Sequence, residues 1–181
     1  MSGIEIRFSG SGGQGLQLVA RILGEEFSAK QRYVAISQGY EPTSRGGLSR
    51  ADLVIGDQGK TSYPLVSRLD YLVILDQVAV AASKGLVHAD TLIIADCERV
   101  TEPPSGAGKY LQLPLVKEAL AAGTSRAVNI VSLGALVSCS RVCDPDALVD
   151  KISSSVPQRF IDMNIDAYQR GLTLGLDEKA V

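Results

Sequence analysis

The feature that most constrains this chain is a set of short, unbroken apolar runs. Asp52-Leu53-Val54-Ile55-Gly56, Tyr71-Leu72-Val73-Ile74-Leu75-Asp76 and Thr91-Leu92-Ile93-Ile94-Ala95-Asp96 place aliphatic residues at consecutive positions. Successive side chains of a strand point to opposite faces, so a run without polar alternation must be covered on both. Parallel sheets packed between layers of helix have this habit. Ile4-Glu5-Ile6-Arg7-Phe8, which alternates, and Tyr33-Val34-Ala35-Ile36-Ser37 read as the first two strands. The pattern predicts an α/β fold with a three-layer, mostly parallel, Rossmann-like sheet. At 181 residues the whole chain, 1–181, suits a single domain.

Helices are expected between and after the strands. Leu16–Leu23 follows the first strand, Gln77–Lys84 is expected to be helical and to stop at Gly85, and Pro114 precedes a helix with Leu115, Val116, Ala119 and Leu120 on one face. Asp144-Pro145 reads as an N-cap with proline at the first helical position, followed by Leu148, Val149 and Ile152 at helical spacing. Thr101–Gly108, rich in Pro and Gly, reads as a surface loop.

The first strand and first helix are joined by Gly10-Ser11-Gly12-Gly13-Gln14-Gly15. Glycine permits positive φ and lets backbone N–H groups approach an anion at a helix N-terminus. A dinucleotide site would also want an acidic residue about 20 residues further on, at the end of the second strand. Ser37-Gln38-Gly39 stands there instead, and no Gly-Lys-Ser or Gly-Lys-Thr follows the loop. NAD binding and a P-loop are therefore disfavoured, and a tight turn for strand-to-helix packing remains an equal alternative to an anion site. A second polar connection, Gly39-Tyr40-Glu41-Pro42-Thr43-Ser44-Arg45-Gly46-Gly47, sets an arginine beside two glycines. Arg45 is able to fork onto a phosphate or carboxylate, or to face solvent or a subunit.

Other chemistry-bearing residues read as structural. Asp76 and Asp96 close apolar strands and are expected to cap the turn or helix after each, and Asn129 is expected to cap a helix carrying Gly134 and Ala135 for close packing. Cys139 and Cys143 lack the further ligands of a zinc or iron–sulfur site, and the single histidine, His88, has no triad partners. A net charge of −2 with dispersed Lys and Arg argues against nucleic acid. No signal peptide or membrane span is apparent, and with three cysteines a reducing cytoplasm is the expected location.

Gly10-x-Gly12-Gly13-Gln14-Gly15, Tyr40…Pro42…Arg45-Gly46-Gly47, Asn129…Leu133-Gly134-Ala135 and Asn164-x-x-Ala167-Tyr168-x-x-Gly171 occur in an order and spacing that resembles the gamma subunit of pyruvate or 2-oxoglutarate ferredoxin oxidoreductases. The resemblance spans nearly the entire chain. The second loop departs from the family wording Ser-Tyr-Gly-Pro-Glu-x-Arg-Gly-Gly at Gly39, Glu41 and Thr43.

The resemblance implies a multi-subunit enzyme that decarboxylates a 2-oxoacid on thiamine diphosphate, passes electrons through iron–sulfur clusters to ferredoxin, and transfers the acyl group to coenzyme A. Partner subunits would bring thiamine diphosphate and the clusters, since this sequence has neither a cluster-forming run of cysteines nor a Gly-Asp-Gly signature. No cofactor would be bound by this chain alone. Gly10, Gly12, Gly13, Gln14, Gly15, Tyr40, Arg45, Gly46 and Gly47 would then contact coenzyme A or a neighbouring subunit. Two rival readings are a purely structural assembly subunit and a stand-alone nucleotide-binding oxidoreductase.

Overall fold

In the computed structural model, residues 3–41, 46–57, 65–102, 104–105 and 108–177 are described. Six strands form one sheet: β1 (Ile4–Ser11), β2 (Tyr33–Tyr40), β3 (Leu48–Gly56), β4 (Tyr71–Ile74), β5 (Leu92–Asp96) and β6 (Lys109–Leu113). Their spatial order is β2-β3-β1-β4-β5-β6. β1, β4, β5 and β6 pair parallel, whereas β3 runs antiparallel to both β1 and β2. The expected mostly parallel sheet is present with one strand reversed. β6 is an addition: Leu111 and Leu113 are buried while Lys109 and Gln112 are exposed, the alternation of an edge strand.

The helices are α1 (Leu16–Ala29), α2 (Leu115–Ala121), α3 (Val128–Ser140), α4 (Val149–Ser155) and α5 (Ile161–Asp177). All five share one core with Ile6, Phe8, Leu53, Val73 and Ile94 of the sheet. The opposite face, with Leu72, Ile74, Ile93 and Ala95, is closed by Leu69, Ala79 and Val100 from connecting segments. Both faces are covered, as the apolar runs require, but unequally.

The expected helix Gln77–Lys84 accounts for this thin layer. It is two 3-10 turns, Gln77–Ala79 and Ala81–Ser83. The second is drawn onto the sheet by Arg7, whose side chain is buried there: Nη1 donates to the Ala82 carbonyl at 3.0 Å, while Nε and Nη2 fork onto Asp52 at 2.7 and 2.8 Å. With that carbonyl bonded downward, the segment lies flat over the sheet instead of standing off it as an α-helix.

On the thick side α3 is wedged between the sheet and α5, and every residue from Val128 to Ser138 is buried. A helix apolar all round its circumference suits such a position. α3 and α5 cross at glycines: a Cβ on Gly134 would fall onto the Tyr168 carbonyl, and one on Gly171 onto the Val131 carbonyl. The close packing expected of Gly134 is thereby realised. Glu26 of α1 holds Lys30 at 2.7 Å and Lys151 of α4 at 3.1 Å, pinning α4 to α1. Burial pushes the Glu26 carboxyl up, but hydrogen bonds and charge from the two lysines outweigh it and leave the group below its ordinary value. Asp144 accepts from the Asp146 N–H at 3.2 Å and caps the turn Asp146–Leu148 that leads into α4. Among the described helices none is long and apolar enough to cross a membrane.

Candidate functional site

The parallel strands end where α1 begins, and the glycine loop sits on that edge. Gly10 and Ser11 belong to β1, so the loop proper is Gly12–Gly15. Gln14 folds back beneath it: Oε1 accepts from the Ser11 N–H at 2.8 Å and Nε2 donates to the Leu75 carbonyl at 3.3 Å. A Cβ on Gly10 would meet Gln14 Oε1, so a side chain there would push Gln14 out of this brace. The Gln14 amide is thus consumed in bracing β1 against β4, and what the loop turns outward is backbone.

Gly13 and Gly15 are left-handed, at φ 93° and 70°. Gly15 is the N-cap of α1, supplies no side-chain cap, and is followed by no acidic residue in the first turn. Asn129 holds it in place. The sequence suggested a helix cap, but Asn129 lies within α3, 4% exposed, with Nδ2 donating to the Gly15 carbonyl at 3.0 Å. Its Oδ1 accepts from the Ile130 N–H at 2.9 Å. The glycine loop is therefore fastened to the most deeply buried helix of the fold.

The second loop arrives at the same edge because β3 is reversed. The Gly12 N–H donates to the Gly47 carbonyl at 2.9 Å, joining the two glycine segments directly. Gly46 is left-handed at φ 98°. Tyr40 ends β2 opposite Ser49 and is 75% exposed. Pro42, Thr43, Ser44 and Arg45 lie outside the described residues, so the placement expected of Arg45 has no counterpart here.

Cavities open on both sides of the loop. A crevice of about 240 Å³ lies toward β4 and β5, lined by Gly12, Gly13, Asp76, Arg99, Ser125 and Arg126. A broader groove of about 770 Å³ lies toward β2 and β3, with Gly15, Gln17, Arg21, Gln38 and Ser49 on its walls. The crevice falls between β1 and β4, where the chain order departs to the left through α1 and β2 and to the right through β4 and β5. This is the switch point at which open α/β sheets take up ligands.

Asp76 and Asp96 behave as caps. Asp76 Oδ1 accepts from the Val78 N–H at 3.2 Å. Asp96 Oδ1 accepts from Glu98 and Arg99, and Oδ2 accepts from the Val116 N–H at the start of α2 at 2.8 Å. By turning the chain back at the end of β5, Asp96 delivers Arg99 to the crevice mouth. Arg126 reaches the crevice from the turn Ser125–Ala127 ahead of α3. The sequence reading singles out neither arginine; the available signal was that Arg99 follows β5, which ends at this edge, and that Arg126 stands just ahead of the α3 helix carrying Asn129.

Open backbone and two arginines at the crevice are able to receive an anion. His88 lies in the connection before β5, beside Arg68 and Asp90. Burial pushes the Cys97 thiol up, reinforced by Asp96 and Glu98, and burial pushes Cys143 up to about 11, so both are held protonated near neutrality. Among the described residues no group of three or more His, Cys, Asp or Glu is placed to hold a metal ion. The cysteines present do not fit an iron–sulfur cluster.

Comparison with known proteins agrees with this architecture. The chain is 33% identical over 178 residues to the 2-oxoglutarate synthase subunit KorC of Methanothermobacter marburgensis, covering 94% of this chain and 95% of KorC. The keto/oxoacid ferredoxin oxidoreductase gamma subunit of Geobacter sulfurreducens PCA superposes with a TM-score of 0.85 at 32% identity, across 98% of both chains. The fold also recurs within a longer chain, the 2-oxoglutarate:ferredoxin oxidoreductase of Magnetococcus marinus: TM-score 0.84 at 19% identity, covering 100% of this chain and 32% of that one. A family model described as pyruvate ferredoxin/flavodoxin oxidoreductase matches residues 5–174. With nearly its whole length matched, sheet, glycine loop and helical layer together, the chain belongs to the pyruvate ferredoxin/flavodoxin oxidoreductase family.

Proposed function

We propose that this chain is the gamma subunit of a cytoplasmic 2-oxoacid:ferredoxin oxidoreductase, with residues 1–181 acting as one gamma-type domain. The complete enzyme converts a 2-oxoacid to its acyl-CoA and passes the electrons to ferredoxin. Thiamine diphosphate and iron–sulfur clusters reside in partner subunits. The observation that carries the reading is the end-to-end match with the Geobacter gamma subunit. The contribution of this chain is to present the joined loops, Gly12–Gly15 and Gly46–Gly47, to coenzyme A at the edge of the active assembly. Loops braced from below by Gln14 and Asn129 hold their exposed backbone in one geometry, which lowers the ordering cost of binding.

Reconstitution tests this directly. Partner subunits with this chain should reduce a ferredoxin-like acceptor in a 2-oxoacid- and coenzyme A-dependent manner, and omission of the chain should abolish it. Turnover by the isolated chain would sink the reading. The assembly-only alternative draws on Tyr40, 75% exposed at the end of the β2 edge strand. Gly13→Val separates the two: a raised KM for coenzyme A with intact assembly favours ligand contact, and loss of assembly favours the alternative.

A further inference from the structure

The crevice beside the glycine loop contains two charges that the fold itself does not use. Arg99 and Arg126 are both exposed, and among the described residues neither guanidinium makes a hydrogen bond or ion pair. This is unlike the arginines that serve the structure, such as Arg7 on Asp52 or Arg170 between Asp166 and Glu118. The two come from distant stretches, one after β5 and one before α3, yet they line the same cavity of about 240 Å³. Both side chains grow from turns whose backbones are fixed: Asp96 accepts from the Arg99 N–H at 2.8 Å, and Thr124 Oγ1 accepts from the Arg126 N–H at 3.3 Å.

Opposing them in the cavity is one carboxylate, Asp76, whose Oδ1 already accepts from the Val78 N–H. Two guanidiniums against one carboxylate leave the lining net positive. Ser125 adds a hydroxyl, and Gly13 adds open backbone, with nothing within 4 Å of where its Cβ would stand. Guanidinium presents a planar fork of donors that matches the oxygens of phosphate, and two forks approached from different elements suit a phosphate better than a neutral group.

We propose that Arg99 and Arg126 form a phosphate-binding jaw over the glycine loop and anchor a phosphate group of coenzyme A. The inference rests on the reading that coenzyme A meets this loop, and adds to it the residues that hold the ligand's charge. The phosphate is either the 3′-phosphate or the diphosphate, and the substrate arms of the test tell them apart.

The assay uses the assembled oxidoreductase with R99Q, R126Q and the double variant, titrating coenzyme A and dephospho-coenzyme A. The double variant should raise the apparent KM for coenzyme A by about tenfold or more, with kcat changed by less than about twofold, because charge-assisted bonds to phosphate are lost. It should also flatten the dependence of that KM on salt. A rise seen with coenzyme A but not with dephospho-coenzyme A assigns the 3′-phosphate; an equal rise with both assigns the diphosphate. R99K/R126K should restore part of the affinity, since charge is kept and the fork is lost. An unchanged KM in the double variant overturns the jaw, as does loss of assembly on gel filtration, which would make the arginines interface residues. If KM is unchanged in the double variant but raised in Gly13→Val, only the jaw fails. If neither variant moves it, the reading of the loop fails as well.

Discussion

Glycine is used for opposite reasons in two regions of this molecule. At the α3–α5 crossing, Gly134, Gly171 and Gly175 have helical backbones and no space: a Cβ would strike Tyr168, Val131 or Ser138. In the edge loop Gly13 has abundant space and a left-handed backbone. Gly15 combines the two, being left-handed and pressed against Asn129. The crossing glycines let two helices approach, and the loop glycines let the chain turn without a side chain between it and the crevice. Asn129 spans both regions, lying in α3 and holding the Gly15 carbonyl.

The largest effect that would break this comparison is at the crossing. Gly171→Ala is expected to lower the unfolding free energy by about 3 kcal/mol, because backbone must move to admit the methyl and this exceeds the gain in helix propensity. Gly13→Ala should cost only about 1 kcal/mol, the left-handed penalty alone. Urea denaturation of the two variants reads both as midpoint shifts at constant slope. Equal shifts would mean that the loop is as tightly enclosed as the crossing.

A second measurement sharpens the intermediate case. Gly15→Ala should cost about 2 kcal/mol, part from φ and part from its Cβ falling 2.5 Å from Asn129 Nδ2. In an Asn129→Ala background the clash disappears and only the φ penalty of about 1 kcal/mol remains. A double-mutant cycle therefore should be non-additive, and strict additivity would deny the contact its role.

The smallest effect concerns the anchoring of α4 to α1, away from both glycine sets. The folded Glu26 carboxyl lies below its ordinary value of 4.5, so its contribution is fully present above about pH 4.5 and is lost as pH falls through the folded value. Lys30 and Lys151 face it, and the neutral Cys143 thiol lies nearby. Glu26→Gln should flatten the acid limb of a stability–pH profile below pH 4.5 while leaving the coenzyme A titration of the complex unaltered. An unchanged acid limb would place the acid sensitivity in other carboxylates.

Much of this organisation was legible because burial leaves a pattern. β1, β4 and β5, the loop-to-helix junction at Leu16, and the cap at Asp144 follow from runs, glycines and caps. Strand direction leaves no such trace: the residues of β3 are buried on both faces and read alike in either direction. β6 leaves little trace because it is five residues long, half exposed, and adjoins the Pro/Gly-rich segment. The 77–84 stretch reads as a helix locally, but tertiary contact with Arg7 flattens it. At the edge, the glycines announced themselves, whereas Asn129, Arg99 and Arg126 became neighbours of the loop only through long-range folding, 114 positions separating Asn129 from Gly15.

The reversed strand β3 sets where a change of loop would be felt. Because it returns beside β2 as a hairpin, the connection between Tyr40 and Leu48 begins and ends at the ligand edge, clear of the parallel pairings of β1, β4, β5 and β6. Doubling such a loop costs only about 0.6 kcal/mol in closure entropy. An altered connection there would change what the edge presents to a ligand or neighbour while β1, β4, β5 and β6 keep their pairing.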